Sequence, residues 1–134
     1  MMAITDYIRR MVRKLSNRDL LIDDEWDPAK LGVSNHAKNA DEALELLKQG
    51  GWGTVYLDND LGPGQKEGWE ILNWMMHAAE SGELPDTKWP QRFVIFSANN
   101  QARPRMESKI RAMNYEPAGT DHMGHPVWQR IQPR

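Results

Sequence analysis

Thr54-Val55-Tyr56-Leu57-Asp58-Asn59-Asp60-Leu61-Gly62 joins a β-branched and aromatic run directly to a cluster of acids and a glycine. Such a run reads as a buried strand that delivers polar groups at its carboxyl end. A glycine-rich loop, Gly62-Pro63-Gly64-Gln65, leads from it into a helical pattern carrying Trp69, Ile71, Leu72, Trp74, Met75 and Met76. Upstream, Asp19-Leu20-Leu21-Ile22-Asp23-Asp24-Glu25 repeats the design: a short apolar run stopped by acids. Downstream, Arg92-Phe93-Val94-Ile95-Phe96 is a third strand, tipped by Ser97-Ala98-Asn99-Asn100.

The intervening segments alternate with these strands. Asp27-Pro28 marks a turn and Gly32 to Ala37 a weak strand. A helix then starts from Asn39, with Glu42 placed as in a capping box, Ala43, Leu44, Leu46 and Leu47 as its apolar stripe, and Gly50-Gly51 as its end. The spacing predicts a last helix from Pro104 to Met113, with Met106, Ile110 and Met113 inward. Strands alternating with helices predict an α/β domain: a parallel sheet with flanking helices, binding its ligand at the carboxyl ends of the strands.

Residues 1–18 read as an amphipathic helix with Ile4, Tyr7, Ile8, Met11, Val12 and Leu15 on one face and Arg9, Arg10, Arg13 and Lys14 breaking up the rest. The sheet domain covers residues 19–115, and 116–134 form a tail packed on it, with Val127-Trp128 as a candidate edge strand. A chain of 134 residues can bury one core. No apolar run is long enough for a signal peptide or membrane span, so a cytoplasmic protein with no membrane partner is expected. The absence of cysteine excludes disulfides and thiolate metal sites, and a net charge of −2 argues against a nucleic-acid coat. Six tryptophans are many for this length, and Trp69 and Trp74 are candidates for core or for a homodimer interface.

An acid pair after one strand is ordinarily a turn or a helix cap. Two acid-tipped strands and a Ser-tipped third, converging on one sheet edge, point instead to a site. Crowded carboxylates repel unless a cation sits between them, and Mg²⁺ or Mn²⁺ suits carboxylate and water ligands while leaving room for phosphate oxygens. Asp23, Asp24 and Asp58 are the candidate ligands, with Asp60 beside them. Ser97, Asn59 and Asn99, the Gly62 loop and Lys38 are candidate contacts to a phosphate, and Lys109 is a further charge partner. His36 is the candidate acid/base group. His122 and His125, beside Asp121, have a spacing compatible with a metal site, but in a segment rich in Pro and Gly they read first as a polar tail.

These strand ends resemble a receiver domain, the phosphoacceptor module with a flavodoxin-like fold. In that family an acid pair ends the first strand, an Asp the third and a Ser or Thr the fourth. The positions here are Asp23 with Asp24, Asp58, and Ser97. The segment between Asp24 and Asp58 has room for one helix and a weak strand, so the first receiver helix is missing. Gly124-His125-Pro126-Val127 stands where the receiver lysine belongs.

Both departures are similar to the cyclic-phosphate processing receiver domain of bacteria and phages. The match lies in Leu21-Ile22-Asp23-Asp24, in Lys38 before a helix, in Leu57-Asp58-Asn59-Asp60-Leu61-Gly62, and in Ser97-Ala98-Asn99. Asn59 and Phe96 stand where that pattern carries histidines. The resemblance implies a phosphodiesterase acting on a cyclic nucleotide or cyclic oligonucleotide second messenger, in a setting of phage counter-defence; the residues themselves supply the metal site, with Asp58, Asp60 and Ser97 expected to be catalytic and His36, or His122 and His125 from the tail, expected to substitute for the absent histidines. Two alternatives stand beside it: a signalling module phosphorylated on Asp58, and a non-catalytic sponge for a cyclic nucleotide.

Overall fold

The computed structural model describes residues 18–25 and 32–131. The N-terminal helix read over residues 1–18 and the Asp27-Pro28 turn lie outside the described residues, save that Arg18 opens a strand. In chain order the elements are β1 (Arg18–Ile22), β2 (Asn35–Ala37), α1 (Ala40–Gln49), β3 (Trp52–Leu57), α2 (Gly68–Ser81), a 3₁₀ turn (Asp86–Lys88), β4 (Arg92–Ile95), α3 (Ala102–Ala112), β5 (Tyr115–Thr120) and β6 (Pro126–Arg130).

One six-stranded sheet runs in the order β2-β1-β3-β4-β6-β5. Its first four strands are mutually parallel, and the chain changes direction of winding between β1 and β3. The parallel α/β sheet and flavodoxin-like order expected from the sequence are therefore present, and no helix stands between β1 and β2 among the described residues. The C-terminal segment departs from expectation. It folds as a hairpin whose second strand, β6, pairs antiparallel with β4. Val127-Trp128 thus sits inside the sheet, and β5 forms its edge.

The core follows from strand alternation. Leu20, Val55, Phe93 and Trp128 occupy one cross-strand row, and Ile22, Leu57 and Ile95 the next, all buried on the face that receives the helices. Onto that face α1 sets Ala40, Ala43 and Leu47, α2 sets Ile71, Leu72, Met75 and Ala78, and α3 sets Met106 and Ile110. Tyr115 packs edge-on against Phe93 at 5.0 Å between centroids and donates its hydroxyl to the Pro90 carbonyl. Trp69 and Trp74 are half-buried against the core, with the Arg105 and Lys109 cations over Trp69 and Lys48 over Trp74. Among the described residues no helix is long and apolar enough to cross a membrane.

Asn39 caps α1: its side-chain oxygen accepts the Glu42 backbone N–H at 2.9 Å. The Glu42 carboxylate reaches back one residue further than in a regular capping box, to the Lys38 N–H at 2.8 Å. Replacing Asn39 by Ala removes the partner of one helix N–H, so Asn39→Ala is expected to lower unfolding stability by about 1 kcal/mol. Urea denaturation with an unchanged m-value checks this; a midpoint equal to wild type would contradict it.

Candidate functional site

The parallel register decides where the acids meet. Ile22 lies opposite Leu57 and Leu57 opposite Ile95, so the next residues of three neighbouring strands leave the sheet at one level. Backbone hydrogen bonds carry the alignment one residue past the strands: Asp23 N–H donates to the Ala37 carbonyl at 3.1 Å and Asp58 N–H to the Ile22 carbonyl at 3.0 Å. Asp23, Asp24 and Asp58 each bring an oxygen to within 4.8 Å of the other two. The cluster stands at the β1/β3 switch point, where open α/β sheets hold their ligands.

Burial first, then the charge of Asp23, pushes the Asp58 carboxyl up to about 7. Hydrogen bonds from the Asn59 N–H, at 2.7 Å, and from the Ser97 hydroxyl act in the opposite direction without cancelling the rise. Asp24 is also raised, by lost solvent contact, a hydrogen bond with Asp23 and the charge of Glu25. Three oxygens so close, two of them resisting ionisation, form a hard all-oxygen donor set that fits a divalent cation of the Mg²⁺ or Mn²⁺ kind.

Around the triad opens a cleft of about 1000 Å³ lined by Asp23, Asp24, Glu25, Asp58, Asp60, the 61–65 loop, Glu67, Phe96, Ala98, Met123 and His125. Its volume is that of a nucleotide-sized site. Gly62 turns the loop at φ 102, a backbone setting that other residues rarely adopt, and lies beside the Asp24 carboxylate. Gly68, the first residue of α2, lies so close to the Asp58 carbonyl that an added Cβ would sit 2.3 Å from that oxygen. Only a glycine allows α2 to start there.

The remaining expected site residues divide into two groups. Asp60 lines the cleft and accepts from the side-chain amides of Asn59, at 3.3 Å, and Asn99, at 3.4 Å. Ser97 is buried, donates to Asp58 and accepts the Asn99 N–H. Asn99 also caps α3, accepting the N–H groups of Gln101 and Ala102 at 3.0 Å. These two residues shape the acids from behind.

Asn59, read as a substrate contact, is instead buried under α2: its side-chain oxygen accepts the Trp69 N–H and its carbonyl the Gly68 N–H. His36 does not line the cleft. Its Nε2 lies 2.7 Å from the Asp23 carbonyl, which can only accept, so that nitrogen carries the proton and steadies the β1 end. Lys38 is exposed on the approach to α1, and Lys109 donates to Asn73 at 3.2 Å on the α2/α3 surface; neither lines the cleft.

Sequence reading placed no role on Glu25, Glu67, Gln65, Phe96 or Met123, and offered His125, with His122, as a stand-in from the tail for the histidines that Asn59 and Phe96 replace. For Met123 and His125 the missing signal was the hairpin. Because β6 runs antiparallel to β4, with Val127 opposite Val94, the β5–β6 turn lands beside the carboxyl end of β4 and enters the cleft wall.

With strand order, acid triad and Ser97 contact in hand, comparison with known families is specific. Residues 18–112 match the family model of the Cyclic-phosphate processing Receiver domain. The chain belongs to this family. No curated protein matches it. The resemblance drawn from the acid-tipped strands is thereby borne out, and the receiver-domain match ends at Ala112, before the hairpin that contributes Met123 and His125 to the cleft.

In the folded chain Asp58 holds its proton more tightly than an unfolded carboxyl, which titrates near about 4. The stability this lends is complete below about pH 4 and is lost as pH rises through about 7. In EDTA the melting temperature of wild type, compared with Asp58→Asn, is therefore expected to fall across that window, and added Mg²⁺ to reverse the fall. Parallel melting curves for the two proteins in EDTA would contradict the crowding argument.

Proposed function

We propose that this receiver-type domain is a metal-dependent phosphodiesterase that opens the cyclic phosphate of a cyclic nucleotide or cyclic oligonucleotide. The observation carrying the reading is the three-carboxylate cluster at the mouth of a nucleotide-sized cleft, on a chain of a cyclic-phosphate processing family. Asp23, Asp24 and Asp58 would hold Mg²⁺ or Mn²⁺, which when bound supplies charge stabilisation to phosphoryl oxygens and acidifies water. Asp60, held by two amides, is a fixed carboxylate able to take a proton from the attacking water. In the Gly62 to Gln65 loop, Pro63 has no N–H and the Gln65 N–H is donated to the Gly62 carbonyl, so Gly62 and Gly64 are the residues whose backbone N–H groups are candidates for orienting the phosphodiester. Destruction of a second messenger in this way suits a phage countering host defence.

A receiver switch is the second reading, favoured by the Ser97 hydroxyl on Asp58 beside an acid pair. Against it, no lysine is among the described residues lining the cleft. A panel of cyclic AMP, cyclic GMP, cyclic di-AMP and cyclic di-GMP, incubated with protein and Mg²⁺ or Mn²⁺ and then denatured, separates the alternatives. Ring-opened product that disappears in EDTA is the expected result. Intact nucleotide retained by the protein would favour a sponge, and labelling of Asp58 by acetyl phosphate without hydrolysis would favour the switch.

Asp23→Asn and Asp58→Asn are expected to lower turnover on the order of 1000-fold while the fold persists, since a metal's contribution amounts to several kcal/mol. Circular dichroism alongside the assay checks both halves, and full metal-dependent turnover in either variant would overturn the ligand assignment.

A further inference from the structure

The cleft has many groups that can take a proton and few that can give one. Among its described lining residues are six carboxylates, Asp23, Asp24, Glu25, Asp58, Asp60 and Glu67, and a single nitrogen heterocycle, the imidazole of His125. His125 lies beyond the segment that matches the family, in the turn between β5 and β6. That turn is built around Asp121. One carboxylate oxygen accepts the Met123 N–H at 2.9 Å and the His125 N–H at 2.8 Å, and the other lies 3.1 Å from His125 Nδ1. The Asp121 N–H donates to the His125 carbonyl at 2.9 Å, closing the loop. Phe96 stands edge-on to the imidazole at 5.9 Å between centroids, which fixes the plane of the ring.

These contacts determine which nitrogen faces where. Asp121 is partly buried, which favours its neutral form, yet the N–H groups of His125 and Met123 and the imidazole hold it below the ordinary carboxylate range. Ionised, it only accepts, so Nδ1 of His125 carries a proton. Asp121 does not line the cleft whereas His125 does, so the Nδ1 edge is turned into the hairpin and the Nε2 edge to the cleft.

We propose that His125, oriented by Asp121, is the proton donor to the leaving oxygen of the phosphodiester. The inference rests on the phosphodiesterase reading above. Water forms the new P–O bond as the ring P–O bond breaks. The departing alkoxide oxygen takes the Nε2 proton of the imidazolium, and the proton lost by the water passes to solvent. A proton taken up from solvent restores the imidazolium, so the net change is addition of one water. His125 is the catalytic residue of this pair and Asp121 a positioning residue.

The test compares leaving groups. An alkoxide needs a proton, whereas para-nitrophenoxide does not. With Mg²⁺ present, His125→Gln is expected to slow whichever cyclic nucleotide of the panel is hydrolysed by about 100-fold, with bis(para-nitrophenyl) phosphate cleavage within about threefold of wild type. Asp121→Asn should show the same selective loss in kcat with KM kept, and His77→Gln, an exposed helix site, should change nothing. In the metal-free protein, long-range proton–nitrogen NMR should find neutral His125 protonated on Nδ1, and Asp121→Asn should abolish that preference.

Equal losses on both substrates, no loss on either, or an Nε2-protonated wild-type imidazole would overturn the inference while leaving the phosphodiesterase reading intact. A wild type that cleaves neither substrate with Mg²⁺ or Mn²⁺ would overturn that reading and this inference with it.

Discussion

The repulsion among Asp23, Asp24 and Asp58 is the constraint around which the rest is arranged. At separations within 4.8 Å, each ionised pair opposes the fold by on the order of 3 kcal/mol at an effective dielectric of about 20. The acids cannot relieve it by moving apart, because the backbone bonds of Asp23 to Ala37 and of Asp58 to Ile22 tie two of them to the sheet. Relief must come from protonation, visible as the raised Asp58, or from a cation. The neighbours make no move toward separation either. Ser97 and the Asn59 N–H hold Asp58 in place, and Gly68 admits α2 directly against its carbonyl. A site this strained without an ion is consistent with one shaped to contain an ion.

What the sequence revealed and what it hid have physical causes. The parallel strands were legible because Leu20-Leu21-Ile22, Val55-Tyr56-Leu57 and Phe93-Val94-Ile95 are apolar runs cut off by polar tips, a local pattern that needs no tertiary information. The hairpin was not. Tyr115-Glu116-Pro117-Ala118-Gly119-Thr120 contains Pro and Gly and lacks alternation, and it is a strand because β6 pairs with it, with a register shift between Pro117 and Thr120. Asn59 was misread for a related reason. Inside Asp58-Asn59-Asp60 it looks like a third site residue, but the bend that follows β3 buries it under the start of α2, where its oxygen takes the Trp69 N–H while its amide holds Asp60. Lys38 was chosen for its charge and its place before a helix and Lys109 for its charge, and neither is among the residues that line the cleft.

The hairpin changes what the fold can do. The parallel strands and their loops supply carboxylates, and a sheet that ended at β4 would leave the described cleft lining without an imidazole. An antiparallel sixth strand returns its connecting turn to the carboxyl end of β4, so a segment outside the family match delivers an imidazole and a methionine to the same opening. Trp128 anchors this arrangement, buried opposite Phe93 on the core face, with the Arg111 guanidinium over its ring at 5.0 Å. Packing on one side of the sheet thus holds a polar turn at its end, which links core energetics to the chemistry of the site.

The charge of the opening then dictates the order of events for any phosphate ligand. Six carboxylates face a cleft whose described lining residues include no lysine or arginine. A phosphodiester carries a negative charge of its own, so it meets repulsion in the metal-free site and attraction only after a divalent ion has inverted the local field. A receiver with a lysine beside its aspartate has some attraction for phosphate in advance of the metal. Among the described residues lining this cleft there is no such cation, and on the reading developed above both affinity and turnover depend on the ion. The same arithmetic explains why the single ionisable nitrogen heterocycle of the wall stands apart on the hairpin, held by its own carboxylate. Placed among the three acids an imidazole would compete with a cation for them, whereas here it is paired with Asp121.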